Sequence, residues 1–192
     1  HIIKGNDLFL KAVRQACQLA KDGKVVTFGI KPDKPETGYG YIQAGGAQGA
    51  GYCVESFKEK PSMELAEQYV KAGNYYWNSG MFAFSISCFL EELKAHQNDI
   101  YELALHSFVC LEECFADMPS ISIDYAVAEK SEKVMTIPLE VEWNDVGSWD
   151  AIYEVLSKDE NGNAVKGDCL PLDCKNTLML GKSRLIAGIG LE

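Results

Sequence analysis

An amphipathic helix followed at once by a buried strand is the sequence feature that most constrains the fold of this chain. Apolar side chains recur every three or four residues over residues 9–20, with Asn6 or Asp7 as the predicted N-cap and Gly23 just past the predicted end. Residues 24–30 then form a nearly continuous, β-branched apolar run, which is typical of a strand buried on both faces. A helix followed so closely by such a strand predicts a layered α/β fold.

Helices and strands continue to alternate along the chain. The predicted elements are a helix capped by Ser62 and ended by Gly73, mainly helical structure over residues 87–114, a short helix over residues 120–130, a strand over residues 134–139 and a helix capped by Ser148. Residues 44–51 are small, which predicts a mobile hairpin loop. Residues 75–84 are predicted as aromatic residues, then a polar turn, then a strand.

A change of pattern after Lys158 predicts a domain boundary near Ser157. The polar residues 159–163 indicate a turn, and the short apolar runs that follow are separated by Gly and by Asp or Asn, which indicates small strands. We therefore predict a main α/β part over residues 1–157, and a linker with the start of a β-rich segment over residues 158–192.

Charge and hydropathy exclude several classes of function. The 192 residues carry a formal net charge of −10, which disfavours general binding to nucleic acid, because that binding requires basic surface. No apolar run approaches the roughly 20 residues of a membrane span, and no signal-peptide pattern is present, so we expect a cytoplasmic protein without membrane association. The chain begins at His1 without a Met, which leaves a targeting segment upstream open.

The cysteines predict reduced thiols rather than a disulfide framework. There are seven, an odd number, and their spacing is irregular. Cys110 and Cys114 would share a helix face, but no second pair of Cys or His at ligand spacing completes a zinc site. The sequence therefore disfavours a zinc centre.

Glycines and polar residues near the predicted strand ends are candidates for a ligand site. Gly40 serves either a tight turn or a ligand that is approached by backbone N–H groups. Glu59 and Lys60 are either solvated or face a ligand, because ligands also bind at strand ends in α/β sheets. Asn78 is either a turn residue beside core aromatics or an amide that gives both a donor and an acceptor to a sugar diol.

Asp145 stands between Trp143 and Trp149, where a β-rich run changes into a helical one. A lone Asp near a Gly is most simply a turn residue or a helix cap. A carboxylate that binds a metal ion is the alternative, and the motifs upstream decide between them.

Six short motifs follow one another along nearly the whole chain. They are Thr27-Phe28-Gly29-Ile30, Pro35-Glu36-Thr37-Gly38-Tyr39-Gly40-Tyr41-Ile42, Glu59-Lys60-Pro61, Trp77-Asn78-Ser79-Gly80-Met81-Phe82, Ser122-Ile123-Asp124-Tyr125-Ala126-Val127 and Trp143-Asn144-Asp145-Val146-Gly147-Ser148-Trp149. Each motif alone is weak, whereas six in this order and approximate spacing are specific. With them the chain resembles the bacterial mannose-1-phosphate guanylyltransferases, a branch of the sugar nucleotidyltransferases.

This resemblance implies both a fold and a reaction. The fold is a Rossmann-like nucleotidyltransferase fold, with a mixed central sheet flanked by helices and the start of a β-helix-like segment at the C-terminus. The family joins mannose 1-phosphate to GTP and releases GDP-mannose and pyrophosphate. The sugar phosphate attacks the α-phosphorus in line, and catalysis is chiefly positioning and charge neutralisation. GTP and mannose 1-phosphate are the expected substrates, and Mg²⁺ is the expected cofactor.

The resemblance also assigns roles to residues. Asp145 resembles the family's second metal carboxylate, and Lys60 resembles the lysine that faces the sugar phosphate, so both are expected to be catalytic. The expected substrate-binding residues, which belong to the matched motifs, are Gly40, Glu59, Lys60, Asn78, Gly80 and Asp124. Of these, Glu59 and Asn78 resemble residues that bind sugar hydroxyls, and Gly40 resembles the glycine whose backbone borders the sugar.

Some features of the family are expected to lie outside these 192 residues. The Gly-rich nucleotide loop with its Thr-Arg, and the first metal carboxylate, are expected upstream of His1, so this chain alone is expected to be inactive and does not show how guanine or the triphosphate is bound. Relatives continue into a β-helical segment, and some into an isomerase domain. A non-catalytic sugar-phosphate-binding relative and a nucleotidyltransferase for another sugar 1-phosphate are the alternatives. The oligomeric state is not determined by the sequence, and a homo-oligomer is left open.

Overall fold

The structure is a computed structural model that describes residues 1–107 and 111–192, so the predicted Cys110 position lies outside the described residues. The described chain divides into two compact units, a larger one of residues 4–141 and a smaller one of residues 1–3 and 142–192. The boundary near Ser157 stays a prediction.

The order of elements follows the predicted alternation. The strands are β1 (Ile2–Lys4), β2 (Val25–Ile30), β3 (Tyr41–Gln48), β4 (Gly51–Lys58), β5 (Tyr75–Ala83), β6 (Val134–Pro138), β7 (Glu142–Asn144), β8 (Ala164–Lys166), β9 (Cys169–Leu172), β10 (Leu178–Leu180) and β11 (Ile186–Ile189). The helices are α1 (Asn6–Lys21), α2 (Met63–Ala72), α3 (Ile86–His96), α4 (Asn98–Ser107), α5 (Leu111–Ala116) and α6 (Trp149–Val155), and Asp124–Ala128 form a π-helical turn.

A mixed sheet forms the centre of the larger unit. Its strands hydrogen-bond in the order β2-β5-β3-β4-β6, and β6 pairs with β2 to close the sheet. The β2–β6 pair is parallel, whereas β2–β5, β3–β5, β3–β4 and β4–β6 are antiparallel. Helix α1 packs against β2, and α2 packs against β5. The predicted mixed sheet flanked by helices is confirmed.

Strand β2 is buried along its whole length, as its apolar sequence predicted. Val25 packs in one cluster with Ile42 of β3, Phe57 of β4 and Val134 of β6. Full burial of such a side chain contributes about 1.5–3 kcal/mol. This core holds β2 at the centre of the sheet, where its polar Thr27 lies among buried neighbours.

Helix termini confirm two of the three predicted caps. The Ser62 side chain accepts a hydrogen bond from Leu65 N at the start of α2, and the Ser148 side chain accepts one from Ala151 N at the start of α6. The cap predicted at Asn6 or Asp7 is wrong. Asn6 already lies in α1, and the residue before it is Gly5, whose left-handed backbone (φ 113°) begins the helix without a side-chain cap.

Residues 44–51 lie in a hairpin, as predicted, but most of them belong to its strands, so the predicted extent of the loop is wrong. β3 and β4 pair as far as Gln48 and Gly51, which leaves only a two-residue turn with Gly49 at φ 62°. A Cβ on Gly51 would lie 2.7 Å from the backbone oxygen of Thr136. Gly51 therefore allows β4 to approach β6 closely, which is a packing role.

The polar turn predicted within residues 75–84 is also wrong, because β5 is continuous through Asn78, Ser79 and Gly80. The register between β2 and β5 changes here, since Thr27 pairs with Phe82 but Gly29 pairs with Asn78. Two steps along β2 thus correspond to four along β5. The polar residues form a β-bulge instead of a turn.

The smaller unit contains short strands with parallel pairing. β1 pairs with β7, β8 pairs with β10, and β9 pairs with β11, the last two in parallel. Parallel pairing of short strands 14 to 17 residues apart is the arrangement of successive coils in a β-helix, so the predicted β-helix-like segment is confirmed. Among the described residues, no helix has the length and apolar character needed to span a membrane.

Candidate functional site

The β5 bulge places the Asn78 side chain inside the larger unit. Gly80 adopts φ 71°, a left-handed conformation that a glycine reaches without steric cost, and this lets the extra residues of the bulge turn out of the ladder. Asn78 is only 8% exposed. Its backbone N–H donates to Gly40 O at 2.7 Å, so the carboxamide is held beside the Gly40 backbone.

Three polar groups surround the Asn78 carboxamide. Its Oδ1 accepts hydrogen bonds from Thr27 Oγ1 at 2.7 Å and from Gly80 N at 3.3 Å. Its Nδ2 donates to Asp124 Oδ1 at 2.9 Å. An amide offers two acceptor positions and two N–H donors. Within the part of the chain that the structure describes, these three bonds use both acceptor positions and one of the two N–H donors of Asn78, and its contact with a ligand stays a prediction.

Gly40 lies between Asn78 and Glu59. A Cβ on Gly40 would lie 2.5 Å from Glu59 Oε2 and 3.4 Å from Asn78 Cβ. Any larger residue would displace the Glu59 carboxylate. The glycine therefore keeps a carboxylate and an amide side by side, and an approach of its backbone to a ligand stays a prediction.

Glu59 is an acceptor in a nearly closed environment. Its side chain is 12% exposed. Burial raises the pKa of Glu59 above its ordinary value, and the negative charge of Asp124 raises it further, while Lys60 lowers it. The Glu59 backbone N–H donates to Glu129 Oε1 at 3.2 Å, which holds the end of the strand in place.

Lys60 supplies the positive charge of this site. Its Nζ lies 3.4 Å from Glu59 Oε1, and 64% of its side chain is exposed. Its backbone φ is 45°, which is uncommon for a residue with a Cβ. An exposed ammonium held beside a carboxylate can move to an anionic ligand such as a phosphate at little cost.

Asp124 is positioned by an irregular helix. It is the first residue of the π-helical turn, whose wide hydrogen bond runs from Glu129 N to Asp124 O at 2.9 Å. Turns of this kind are frequent at functional sites because they redirect single side chains. Here the turn brings Asp124 to Asn78 and Glu129 to the backbone of Glu59.

Asp145 lies in a turn of the smaller unit. Asn144 Oδ1 accepts a hydrogen bond from Val146 N at 2.7 Å, and Asp145 Oδ1 accepts one from Gly147 N at 3.3 Å. Val146 has φ 56°, an outlier for a β-branched residue. The cap of α6 is Ser148, so the interpretation of Asp145 as a helix cap is wrong. Asp145 is instead a half-buried carboxylate in a strained turn.

The metal chemistry that these residues could support is that of a hard cation. Among the described residues, no three His, Cys, Asp or Glu side chains are grouped so that they could hold a metal ion. Mg²⁺ is commonly bound by one or two carboxylates together with substrate phosphates and water. The single carboxylate of Asp145 fits that mode of binding.

Most of this chain matches a known protein family. The family model described as nucleotidyl transferase matches residues 1–162. The chain belongs to the nucleotidyl transferase family. In this chain the Asn78 amide lies on β5, and Glu59 and Lys60 directly follow β4, on the other side of β3.

Individual curated proteins are similar to this chain over its whole length. This chain is 48% identical over its whole length to "Xanthan biosynthesis protein XanB" of Xanthomonas campestris pv. campestris (strain B100), of which it covers 43%. It is 42% identical over its whole length to "Mannose-1-phosphate guanylyltransferase 2" of Escherichia coli O157:H7, of which it covers 44%. The chain therefore spans less than half the length of these curated relatives.

A solved structure confirms the fold of this chain. It is described as a "mannose-1-phosphate geranyltransferase" from Thermus thermophilus and is 36% identical to this chain. The TM-score is 0.86, and the match covers 99% of this chain and 58% of the other. The resemblance to mannose-1-phosphate guanylyltransferases that the motifs indicated is confirmed by relatives that carry this name.

Two residues of the site were not singled out by the sequence. Thr27 is the one hydroxyl in the apolar run of β2, and this interruption is a signal that could have identified it. Glu129 lies in an ordinary charged stretch and gives no such signal. Their partners are 51 and 70 residues away in the sequence, so only the folded chain connects them.

Proposed function

We propose that the protein containing this chain is a mannose-1-phosphate guanylyltransferase, which forms GDP-mannose and pyrophosphate from mannose 1-phosphate and GTP. The observation that carries the proposal is the grouping of Glu59, Lys60 and Asn78 around Gly40. A buried acceptor, a buried donor and an exposed cation suit a ligand that carries both hydroxyl groups and a phosphate. The names of the relatives support this choice of ligand.

Each residue has a role in holding the sugar phosphate. Glu59 accepts a hydrogen bond from a sugar hydroxyl, and the free N–H of Asn78 donates to a sugar oxygen. Lys60 leaves Glu59 and pairs with the phosphate. Gly40 keeps the backbone close to the sugar, since any side chain there would enter the space beside Glu59, and Gly80 supplies the left-handed backbone of the bulge that carries Asn78.

The reaction requires positioning more than covalent chemistry. A phosphate oxygen of mannose 1-phosphate attacks the α-phosphorus of GTP and forms the new P–O bond. The bond from the α-phosphorus to the bridging oxygen breaks, and pyrophosphate leaves with that electron pair. Mg²⁺ held by Asp145 would neutralise phosphate charge when bound. Lys60 and the Glu59–Asn78 pair hold the attacking group in place, which can supply a large part of the rate enhancement.

The assay uses the full-length gene product, with GTP, mannose 1-phosphate and Mg²⁺, and measures pyrophosphate and GDP-mannose. Asp145→Asn should reduce turnover about 100-fold or more, because a metal contact that stabilises transition-state charge contributes several kcal/mol. Asp150→Asn is the matched control, since Asp150 is an exposed Asp in the first turn of α6, and it should retain wild-type activity.

Other outcomes would point to other functions. Binding of mannose 1-phosphate in calorimetry without any pyrophosphate release would indicate a non-catalytic relative. Turnover with a different sugar 1-phosphate, and none with mannose 1-phosphate, would show that the other sugar phosphate is the substrate. Near-normal activity of Asp145→Asn would remove Asp145 from the metal site. A cytoplasmic location and a possible homo-oligomer stay predictions.

A further inference from the structure

We propose that Thr27 and Asp124 are positioning residues that fix the Asn78 carboxamide as a hydrogen-bond donor towards the sugar. Because the sugar contact of Asn78 is itself part of the proposed function, this role depends on that function. The two residues act on opposite ends of the amide. Asp124 thereby changes from an expected substrate-binding residue to one that acts through Asn78.

The chemistry of the three partners permits one orientation of the amide. The backbone N–H of Gly80 is an obligate donor, and it faces Asn78 Oδ1 at 3.3 Å. The ionised Asp124 carboxylate is an obligate acceptor, and it faces Nδ2 at 2.9 Å. A flipped amide would direct an N–H at an N–H and an oxygen at a carboxylate oxygen. Both contacts would be repulsive, and the Thr27 hydroxyl would have lost its acceptor.

Thr27 makes the shortest of these contacts. Its Oγ1 donates to Asn78 Oδ1 at 2.7 Å, and Thr27 is 0% exposed, so no water competes for the hydroxyl. Unsatisfied polar groups are costly at such depth. The Thr27 hydroxyl and the Gly80 N–H together use both acceptor positions of the amide oxygen.

A donor fixed at Asn78 complements the acceptor at Glu59. The two side chains lie on either side of the Gly40 Cα, so one sugar can contact both. A sugar hydroxyl is donor and acceptor at once, and it can donate to Glu59 while a sugar oxygen accepts from Asn78. A site built in this way rejects analogues that lack the hydroxyl, because its buried polar groups would be left unpaired.

Thr136 shows that a buried threonine in this sheet need not serve the site. It lies on β6 directly opposite Thr27 in the parallel register, and it is also 0% exposed. Among the described residues its Oγ1 has no hydrogen-bond partner. Thr136→Val therefore removes the same group from the same layer of the sheet without touching Asn78, which makes it a matched control.

The kinetic test compares Thr27→Val, Thr27→Ser and Thr136→Val in the full-length enzyme. Thr27→Val should raise the KM for mannose 1-phosphate about 5- to 10-fold, the effect of one lost hydrogen bond, while the KM for GTP stays unchanged. Thr27→Ser keeps the hydroxyl and should stay within about twofold of wild type, as should Thr136→Val. An equal rise in both KM values, or a rise in Thr136→Val as large as in Thr27→Val, would overturn the positioning role.

A second measurement needs no substrate. It therefore tests the hydrogen bonds that hold the Asn78 amide independently of whether the enzyme binds mannose 1-phosphate. The side-chain NH₂ signals of Asn78 in a ¹H–¹⁵N spectrum, assigned by their loss in Asn78→Asp, should shift in Thr27→Val and stay in place in Thr27→Ser. Unchanged signals in Thr27→Val would overturn the positioning role. Absence of mannose 1-phosphate binding by the wild-type enzyme, with shifted signals in Thr27→Val, would overturn the sugar contact and keep the hydrogen-bond lock.

Discussion

At the scale of single residues, the proposed site is marked by backbone conformations that the side chains disfavour. Lys60 has φ 45°, and Val146, next to Asp145, has φ 56°. Strain of this kind costs on the order of 1–3 kcal/mol and persists only where the surroundings hold it. The bond from Glu59 N to Glu129 and the bond from Val146 N to Asn144 hold these two segments.

Glu59→Gln is expected to raise the Tm at neutral pH while it weakens binding of mannose 1-phosphate. Burial, and then Asp124, raise the pKa of Glu59 above its ordinary value of 4.5. A carboxyl group whose pKa is raised by folding favours the folded state below its ordinary pKa, and this contribution is lost as the pH rises through the raised pKa. Gln does not ionise. The Tm of the variant should therefore exceed that of wild type at pH 7, and the difference should shrink as the pH falls through the raised pKa and be lost below pH 4.5.

Glu64→Gln is the control, because folding lowers the pKa of Glu64 whereas it raises the pKa of Glu59. Ser62 lowers the pKa of Glu64 by a hydrogen bond, so its ionised form favours the folded state above pH 4.5. The change should lower the Tm slightly at pH 7. A Tm difference for Glu59→Gln that is equal at pH 4 and pH 7 would contradict the role of ionisation.

At the scale of elements, irregularities in regular structure bring the site together. The bulge in β5 turns Asn78 inward, and the π-helical turn directs Asp124 towards it. Neither irregularity was predicted from the sequence, because bulges and π-turns arise from competition between neighbouring elements rather than from local propensity. The helix and strand types were predictable, since they follow from periodicity over many residues.

A charged network ties α3 to the start of β6. Lys133 Nζ lies 2.9 Å from Glu92 Oε1 and 3.1 Å from Glu91 Oε2, and Glu92 is buried. Burial alone would raise the pKa of Glu92, but hydrogen bonds from Ser131 and Lys133 outweigh it and hold the pKa below its ordinary value. His96 Nε2 lies 3.4 Å from the other oxygen of Glu92. The network makes a buried carboxylate tolerable.

Lys133→Met should lower the free energy of unfolding by about 1–3 kcal/mol at pH 7, because it removes a charged hydrogen-bond donor from the buried Glu92. The loss should shrink as the pH falls below 4.5 and through the lowered pKa of Glu92, because a protonated carboxyl group no longer needs a cation. Urea denaturation at pH 7 and at pH 3 measures the two losses. Glu91→Gln removes the exposed partner of Lys133 and should cost less than about 0.5 kcal/mol. Equal losses for the two variants would show that Glu92 does not depend on Lys133.

At the scale of the whole molecule, two compact units carry different parts of the proposed chemistry. The larger unit holds the residues that we propose to bind the sugar phosphate, and the smaller holds Asp145 and the parallel strands β8–β11. Glycines permit the stacking of those strands. An added Cβ on Gly167, which has φ 90°, would overlap the backbone oxygen of Gly181. The smaller unit therefore has its own packing requirement.

Gly167→Ala should destabilise the smaller unit by about 2–4 kcal/mol, through backbone strain and a backbone clash. Hydrogen exchange should show faster exchange in β8–β11 and unchanged protection in β2–β6. Gly190→Ala is the matched control, because Gly190 also has a positive φ (63°) but no atom lies within 4 Å of its added Cβ, so only the strain remains. Equal loss of protection in both units would show that they unfold together.

The sequence by itself determined the alternation of elements, the buried strand β2, the caps at Ser62 and Ser148, and the family. These follow from local periodicity, side-chain capping chemistry and ordered motifs, which are properties of short stretches. Only the tertiary structure decided that residues 44–51 extend a hairpin, that Asn78 lies in a bulge, and that Thr27 and Asp124 hold its amide in one orientation. Those outcomes depend on hydrogen bonds between residues 46 and 51 positions apart, and on strands that approach closely only when the chain has folded.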